Sequence, residues 1–220
     1  MSEIVEKPVT CPKCSQITTL PLVCSVNTEA DPEIREKIFD ESFFKWNCKK
    51  CGFHSRLLHP LLYNDMKNKF MVYYIPNVTR RQTIDEKLEF EFSDMEYITK
   101  RIVPTVNAMK EKIVILEQKL DDMAVELTKT AVADVVAKST SQSVHDGYFT
   151  DLSEDENSMT FQFFVGIDHR PYLQTIRLEV YHRSLGIVKK YFSGEKKKGG
   201  FLNIDQVWSK AALEKYRSAE

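Results

Sequence analysis

Cys11-Pro12-Lys13-Cys14 and Cys48-Lys49-Lys50-Cys51-Gly52 decide how this chain is read. Each pair leaves two residues between its cysteines, which lets the backbone turn tightly enough for both sulfurs to face one ion. A thiolate is a metal ligand, and four of them complete the tetrahedron that zinc favours. Pro12 stiffens the first turn, and Gly52 follows the second pair, where the backbone can require a positive φ. Two such turns on facing hairpins make a zinc ribbon. The pairs therefore predict one structural zinc per chain, held by Cys11, Cys14, Cys48 and Cys51. Iron in the same ligand set is the alternative left open. A redox dithiol fits less well, because neither pair opens a helix in a βαβ context. Four ligands leave no open position, so the site is expected to fasten the chain and not to catalyse.

The spacer of 33 residues exceeds that of a simple ribbon, about 15–20. A short inserted helix accounts for the excess. Asp31-Pro32-Glu33 offers an N-cap, a proline at the first helical position and an acid in the first turn, predicting a helix over 32–40 with Ile34, Ile38 and Phe39 inward. Residues 16–26 read as a strand, with Pro21 marking an edge or bulge. Residues 43–47 and 53–58 read as strands flanking the second pair, and His59-Pro60 ends the latter. Residues 1–10 read as a polar lead, and 61–69 are ambiguous, with a turn of helix considered. Residues 70–75, six apolar or aromatic side chains in a row, predict a strand.

Beyond a polar stretch over 77–94, where 88–92 alternate like an exposed strand, the period changes. Ile102, Val106, Met109, Ile113, Leu116, Leu120, Met123 and Leu127 recur at helical spacing, so 96–138 read as helical. The stripe suits a core-facing helix better than a coiled coil. One straight helix over 104–138 would be roughly 50 Å long, against a radius of gyration of roughly 17 Å for a compact chain of this length. A helical hairpin breaking near Lys119–Asp122, with Asp121 or Asp122 as cap, is therefore favoured over one helix. Residues 139–143 and 151–158 read as polar linkers. Strands over 159–167 and 173–178, a helix over 180–192, an exposed loop over 193–200 and an Asp205-capped helix to Arg217 complete the chain. In that last helix Val207, Trp208, Ala211, Leu213 and Tyr216 are expected to face inward.

The expected fold class is α+β: an N-terminal zinc ribbon-like β module with a short helical insertion, a helical segment or hairpin, and a small C-terminal α/β unit. The corresponding divisions are 1–76, 77–138 and 139–220. With 42% hydrophobic and 29% charged residues the chain can bury a core. The net charge of -1, from 31 basic and 32 acidic residues, lacks the footprint of a dedicated nucleic-acid binder. No secretory signal and no apolar run near the ~20 residues of a membrane span is read. A cytoplasmic protein with reduced thiols is expected.

Several stretches together resemble a known family. Cys11-Pro12-Lys13-Cys14, Asp31-Pro32-Glu33, Cys48-x-x-Cys51-Gly52 and Pro60-Leu-Leu-Tyr-Asn-Asp-Met-Lys-Asn-Lys-Phe70 are similar to the CpXC domain proteins of bacteria and archaea. The resemblance continues through Arg101-Ile-Val103, Asn107 and Glu117-Gln-Lys-Leu-Asp-Asp122, and returns near Asp205-Gln-Val-Trp208. It implies a zinc ribbon with appended helices and brings no activity with it. Two departures stand out. The second knuckle lacks the proline of the first, and Lys119 stands where a helix-ending glycine is expected.

These readings favour a non-catalytic interaction or adaptor protein, with a protein partner or a second copy docking through the 102–127 stripe. A nucleic-acid-binding zinc ribbon is the alternative, since Lys13, Lys49, Lys50 and Arg56 cluster at the knuckles beside Trp46 and Phe53, with Lys196-Lys-Lys198 as a second basic spot. An enzyme is the second alternative, but H-E-x-x-H, G-x-S-x-G, Walker and dinucleotide patterns are absent from the sequence. Neither a membrane nor a small-molecule substrate is expected. Asp65 is the carboxylate most worth testing, against its reading as a helix cap. Asp168-His169-Arg170 and His145-Asp146 read as polar turns, Cys24 as a buried small hydrophobe, and His54 and His59 as surface or hydrogen-bonding groups.

Overall fold

The computed structural model describes residues 3–76, 92, 95–196 and 200–218. A five-stranded sheet lies on one side of the helical hairpin over 106–140 and a three-stranded sheet on the other. The first sheet has the order β1-β2-β5-β6-β7, from β1 (Glu3–Thr10), β2 (Ile17–Asn27), β5 (Leu61–Asp65), β6 (Phe70–Tyr74) and β7 (Thr99–Val103). Between β2 and β5 the chain forms α1 (Ile34–Phe39) and a two-stranded ribbon, β3 (Lys45–Asn47) with β4 (His54–Arg56). After β7 come α2 (Val106–Glu117) and α3 (Asp122–Thr140). The second sheet, β8 (Val144–Ser153), β9 (Ser158–Val165) and β10 (Arg170–Arg177), follows with β9 in the middle. Helices α4 (Leu178–Tyr191), α5 (Ser193–Lys196) and α6 (Gln206–Arg217) close the chain.

Alternation along β5 and β6 separates two faces of the first sheet, as the period of two requires. Leu61, Tyr63, Phe70, Val72 and Tyr74 face a core that also takes Ile34 and Ile38 of α1 and Val106, Met109, Ile113 and Leu116 of α2. Leu62 and Met71 face the other way, against Ile98, Ile102 and Phe201. A third cluster joins Met123, Leu127, Val132 and Val136 of α3 to Phe149, Phe161 and Phe163 of the second sheet and to Tyr181, Val188 and Ala212 of the C-terminal helices. Each such side chain, removed from water, contributes about 1.5–3 kcal/mol.

The apolar stripe of the sequence is therefore shared out. Ile102 lies in β7, the next four members face the first core, and Met123 and Leu127 face the third, so the stripe is consumed inside the chain. The helical reading of 96–138 is corrected at its start, where Thr99–Val103 is a strand parallel to β6. The hairpin break falls where expected. Lys119 adopts φ 57, the left-handed conformation that a helix-ending glycine supplies more cheaply. Asp121 caps α3 by accepting from the N–H groups of Met123 and Ala124.

Other expectations are also corrected. Residues 3–10 are a strand, not a lead, paired along its length with β2. The signal was weak because this hairpin arm is largely exposed on both faces, with Ile4 and Ile17 solvent-facing. Pro21 sits where β2 pairs with β1 alone, an edge position that needs no second ladder. The ambiguous 61–69 resolve into β5 and a turn. The inserted helix begins later than expected, at Ile34, with no side-chain cap, and 42–44 form a 3-10 turn before β3. Asp151–Ser158 is the tip of the β8–β9 hairpin and not a linker. In α6 the buried residues are Ser209 and Ala212, whereas Val207 and Ala211 are exposed. Residues 193–196 form short α5, and the expected strand over 88–92 and lysines 197 and 198 fall outside the described residues, apart from Phe92.

Because α2 and the first turns of α3 are enclosed from both sides, their charged side chains are enclosed too. Arg101 of β7 donates to both carboxylate oxygens of Asp122, from Nε at 2.6 Å and Nη2 at 2.7 Å. Lys112 Nζ lies 3.2 Å from Asp122 Oδ2 and 3.7 Å from Glu126 Oε2. Lys129 Nζ donates to Glu111 Oε1 and Oε2 and lies 3.0 Å from Glu126 Oε2. Six buried groups thus form a network of three cations and three carboxylates. Burial alone would raise the Asp122 carboxyl, but Arg101 and Lys112 hold it well below the usual carboxylate range.

Removing one partner of a buried pair strands the other's charge, so Asp122→Ala is expected to cost about 3–5 kcal/mol in chemical denaturation. Arg101→Met with Asp122→Leu is expected to cost less than the single change, because no charge is then stranded. A lowered folded-state carboxyl stabilises fully above the unfolded value of about 3.9 and less as pH falls through the folded value. Asp122→Asn should accordingly flatten the loss of stability below about pH 4 that titration of the wild type reveals.

Candidate metal centre

The β1–β2 hairpin carries the first cysteine pair at its turn, and the β3–β4 ribbon carries the second. The two turns have the same backbone. Ser15 N–H donates to Cys11 O and Cys11 N–H to Gln16 O, each at 2.9 Å. Gly52 N–H donates to Cys48 O and Cys48 N–H to Phe53 O, again each at 2.9 Å. The residue after each pair is left-handed, with φ 57 at Ser15 and 68 at Gly52. Gly52 meets that requirement without steric cost, whereas Ser15 carries a Cβ into it. A Cβ at position 52 would meet nothing within 4 Å, so the glycine there serves backbone conformation alone.

This geometry brings all four predicted ligands together. The Cys11, Cys14, Cys48 and Cys51 sulfurs lie within 4.8 Å of one another. Cys11 and Cys48 are buried, and their partners half-buried. Cys11 Sγ lies 3.7 Å from Cys51 Sγ, and Cys14 Sγ 3.7 Å from Cys48 Sγ. Four sulfurs at about 2.3 Å from a tetrahedral ion stand about 3.8 Å apart. The cluster therefore fits the zinc that the resemblance implies, with both turns already closed around it.

The electrostatics agree with a divalent occupant. The Cys51 N–H first, then the Lys50 N–H, draw the Cys48 thiol down to about 6 against the effect of burial. At Cys51 the Phe53 N–H favours the thiolate, yet burial and the three neighbouring sulfurs outweigh it and push the thiol up to about 12. One thiolate forms readily and then opposes the next, so full ionisation needs a cation at the centre.

Neither nearby histidine joins the cluster. The exposed His54 pairs with Asn47 Oδ1 across the ribbon. His59 is half-buried, with Nε2 at 3.0 Å from Val23 O and Nδ1 at 3.1 Å from Leu57 O. Both are hydrogen-bonding groups, as the sequence suggests. Cys24 lies in β2, half-buried instead of buried, with its thiol toward Leu22 O at 3.7 Å. Asp65 caps the β5–β6 turn, accepting from Asn68 N and Nδ2 at 2.9 and 2.8 Å, in place of a helix N-terminus. Asp168 pairs with Arg170 on an exposed turn, while His145 and Asp146 lie on β8, the former ring 4.3 Å from that of His169.

Sequence reasoning passed over Arg101, Glu111, Lys112, Glu126 and Lys129, because charges at helical spacing ordinarily mark a solvated face. Only Asp122 drew attention, as a cap. Glu111, Lys112, Glu126 and Lys129 line a cavity between α2, α3 and β8. Burial raises the Glu126 carboxyl against the pull of Lys129 and Lys112, and the neighbouring charge of Glu111 adds to the rise.

The knuckle backbone generates a direct test. Gly52→Ala is expected to lower stability by about 1 kcal/mol, and Ser15→Gly to leave it unchanged or raise it, since glycine removes the left-handed penalty. Thermal denaturation of the two variants beside the wild type reads both signs.

A family profile described as "CpXC protein" matches residues 9–129, just over half of the chain. No curated protein and no solved structure matches it. The matched span takes in both cysteine turns, the inserted helix, β5 to β7, α2 and the enclosed first half of α3, and leaves β8 to α6 outside. Carrying the four-cysteine cluster and the break between α2 and α3 within that span, the chain belongs to the CpXC family.

Proposed function

We propose that this protein is a non-catalytic binding module in which one structural zinc holds the β1–β2 and β3–β4 turns together, and that it acts as an interaction or adaptor protein in the cytoplasm. The observation that carries the reading is the closed set of four sulfurs at tetrahedral spacing. No fifth donor and no open position is needed, which separates this arrangement from catalytic zinc. Cys11, Cys14, Cys48 and Cys51 form no disulfide, which fits a reducing compartment. No helix among the described residues is long and apolar enough to cross a membrane. The apolar stripe is used internally, so a partner or second copy has to dock elsewhere. The β1 edge offers one such surface: among the described residues β1 pairs only with β2, and Ile4 and Ile17 are exposed on that arm.

A second reading, a nucleic-acid partner, is favoured by one observation. Residues 7–28 and 42–64, which build both turns, contain Lys7, Lys13, Lys45, Lys49, Lys50 and Arg56 and not a single acid. All six are exposed. Arg56 is engaged by Glu41 at 2.9 Å. The near-zero charge of the whole chain conceals this local excess, which suits a polyanion.

Purified protein is expected to release about one zinc per chain on denaturation, and chelation to expose four further reactive thiols and lower thermal stability. A folded, metal-free protein with the same thiol count would overturn the zinc assignment. Affinity capture from the native host, with and without nuclease, separates the two partner readings. Nucleic-acid binding that exists must weaken steeply with salt, as counterion release demands.

A further inference from the structure

The cavity between α2, α3 and β8 holds a group that the fold leaves unsatisfied. Lys112 lines it and is 2% exposed, yet among the described residues its Nζ makes no hydrogen bond. The ammonium has three N–H donors. Its neighbours, Asp122 Oδ2 at 3.2 Å and Glu126 Oε2 at 3.7 Å, are near enough to attract it but are not placed to accept from it. Leaving a buried ammonium without acceptors costs more than leaving a neutral group so. The other cations of the network are committed: Arg101 to both oxygens of Asp122, and Lys129 to Glu111 and Glu126. The spare donor capacity of the network is therefore concentrated at Lys112.

The cavity is large enough for an occupant and suited in its lining. It has a volume of ≈ 200 Å³ open to water-sized molecules. Its walls include Val103, Ala108, Ala133, Val144 and Phe163, an apolar surround in which a single charged contact counts for much. The start of α2 lies at the cavity as well, through Pro104 and Thr105, adding the positive end of a helix dipole. Four acids line it: Glu111 and Glu126 are engaged by Lys129, while Asp146 and Asp205 stand at the rim, where Asp205 already accepts from the Val207 and Trp208 N–H groups. An occupant with one compact anionic group satisfies Lys112 without bringing a second negative charge against that rim.

We propose that this cavity is a binding site for a small molecule bearing one oxyanion, a carboxylate or a phosphate, and that Lys112 is the residue that binds it. The site is separate from the cysteine cluster and stands whether or not the zinc assignment does. Lys112 and its neighbours Glu111, Glu126 and Lys129 fall within the family's matched span, whereas Ala133, Val144, Asp146 and Phe163 do not, so the family region supplies the charged groups of the cavity and the rest of the chain completes its walls.

The test titrates the full-length protein with inorganic phosphate, acetate and chloride at constant ionic strength, read by amide chemical shifts and calorimetry. Saturable binding of phosphate or acetate in the millimolar range, with shifts centred on the amides around Lys112, is expected, and which of the two binds names the ligand's anionic group. Lys112→Met should weaken that binding about tenfold or more. Glu126→Gln should tighten it, because a carboxylate beside the ammonium is removed. Ala108→Met should weaken it by filling the cavity while touching no charge, which keeps the test decisive if Lys112→Met fails to fold. Absence of saturable binding of either anion would show a cavity that holds only water and would overturn the proposal. So would undiminished affinity in both Lys112→Met and Ala108→Met, or weaker binding in a folded Glu126→Gln.

Discussion

The carboxylate of Asp122 is where the structure is tied. It sits at the first turn of α3, receives Arg101 from β7 through two parallel hydrogen bonds and faces Lys112 from α2. Three consecutive elements are thus fixed by one planar group, in an orientation that a purely apolar contact would leave free to slide. Such a tie adds little net stability, because taking the ions out of water costs about as much as their attraction returns. Its effect is on which arrangement is reached. A helical hairpin with its first helix apolar on one side and charged on the other could pack either way up between two sheets. With Arg101 on β7, only the packing that brings Asp122 over it avoids a stranded charge.

The cysteine cluster solves a different problem. The β1–β2 arm stands out from the first sheet: β2 joins β5 only from residue 25 onward, and before that point its ladder partner among the described residues is β1 alone. The β3–β4 ribbon has three residue pairs. Neither piece buries enough apolar surface to hold itself. Joining their turns at four sulfurs gives each a fixed end, and the identical hydrogen bonding of the two turns lets them share one centre symmetrically. That Ser15 tolerates the same left-handed conformation as Gly52 indicates how strongly the cluster dictates the backbone there.

What the sequence disclosed follows from the range of the forces involved. The four-cysteine cluster was legible because two-residue spacing is a local geometric demand. The helix break was legible because Asp121 offers a cap and because a 35-residue helix outgrows a compact chain. The strand at Thr99–Val103 was concealed because Ile102 falls by chance in helical register with Val106 and Met109. The strand Glu3–Thr10 was concealed because an exposed hairpin has no apolar alternation to display. The buried ionic network was the deepest omission, and its cause is general. Lys112, Glu126 and Lys129 have the spacing of a solvated helical face, and it is the second sheet, built from residues 144–177, that buries it.

The two ties are linked through the inserted segment. Glu41 receives Arg56 of the ribbon at 2.9 Å and Lys110 of α2 at 2.8 Å, and it does so from a left-handed backbone at φ 62. About two helical turns along α2 from Lys110, Arg35 of α1 clasps both oxygens of Glu117 at the end of that helix, at 2.8 and 2.9 Å. Lys110 adjoins Glu111, the carboxylate that engages Lys129 and the Phe149 N–H. A displacement of the ribbon therefore reaches α2 through ion pairs at both ends of that helix, and α2 carries one wall of the cavity. Partly exposed pairs of this kind are individually weak. Their arrangement matters more than their strength, because α2 packs against the first sheet's inner face, and its position is shared by the cysteine clasp on one side and the ionic network on the other.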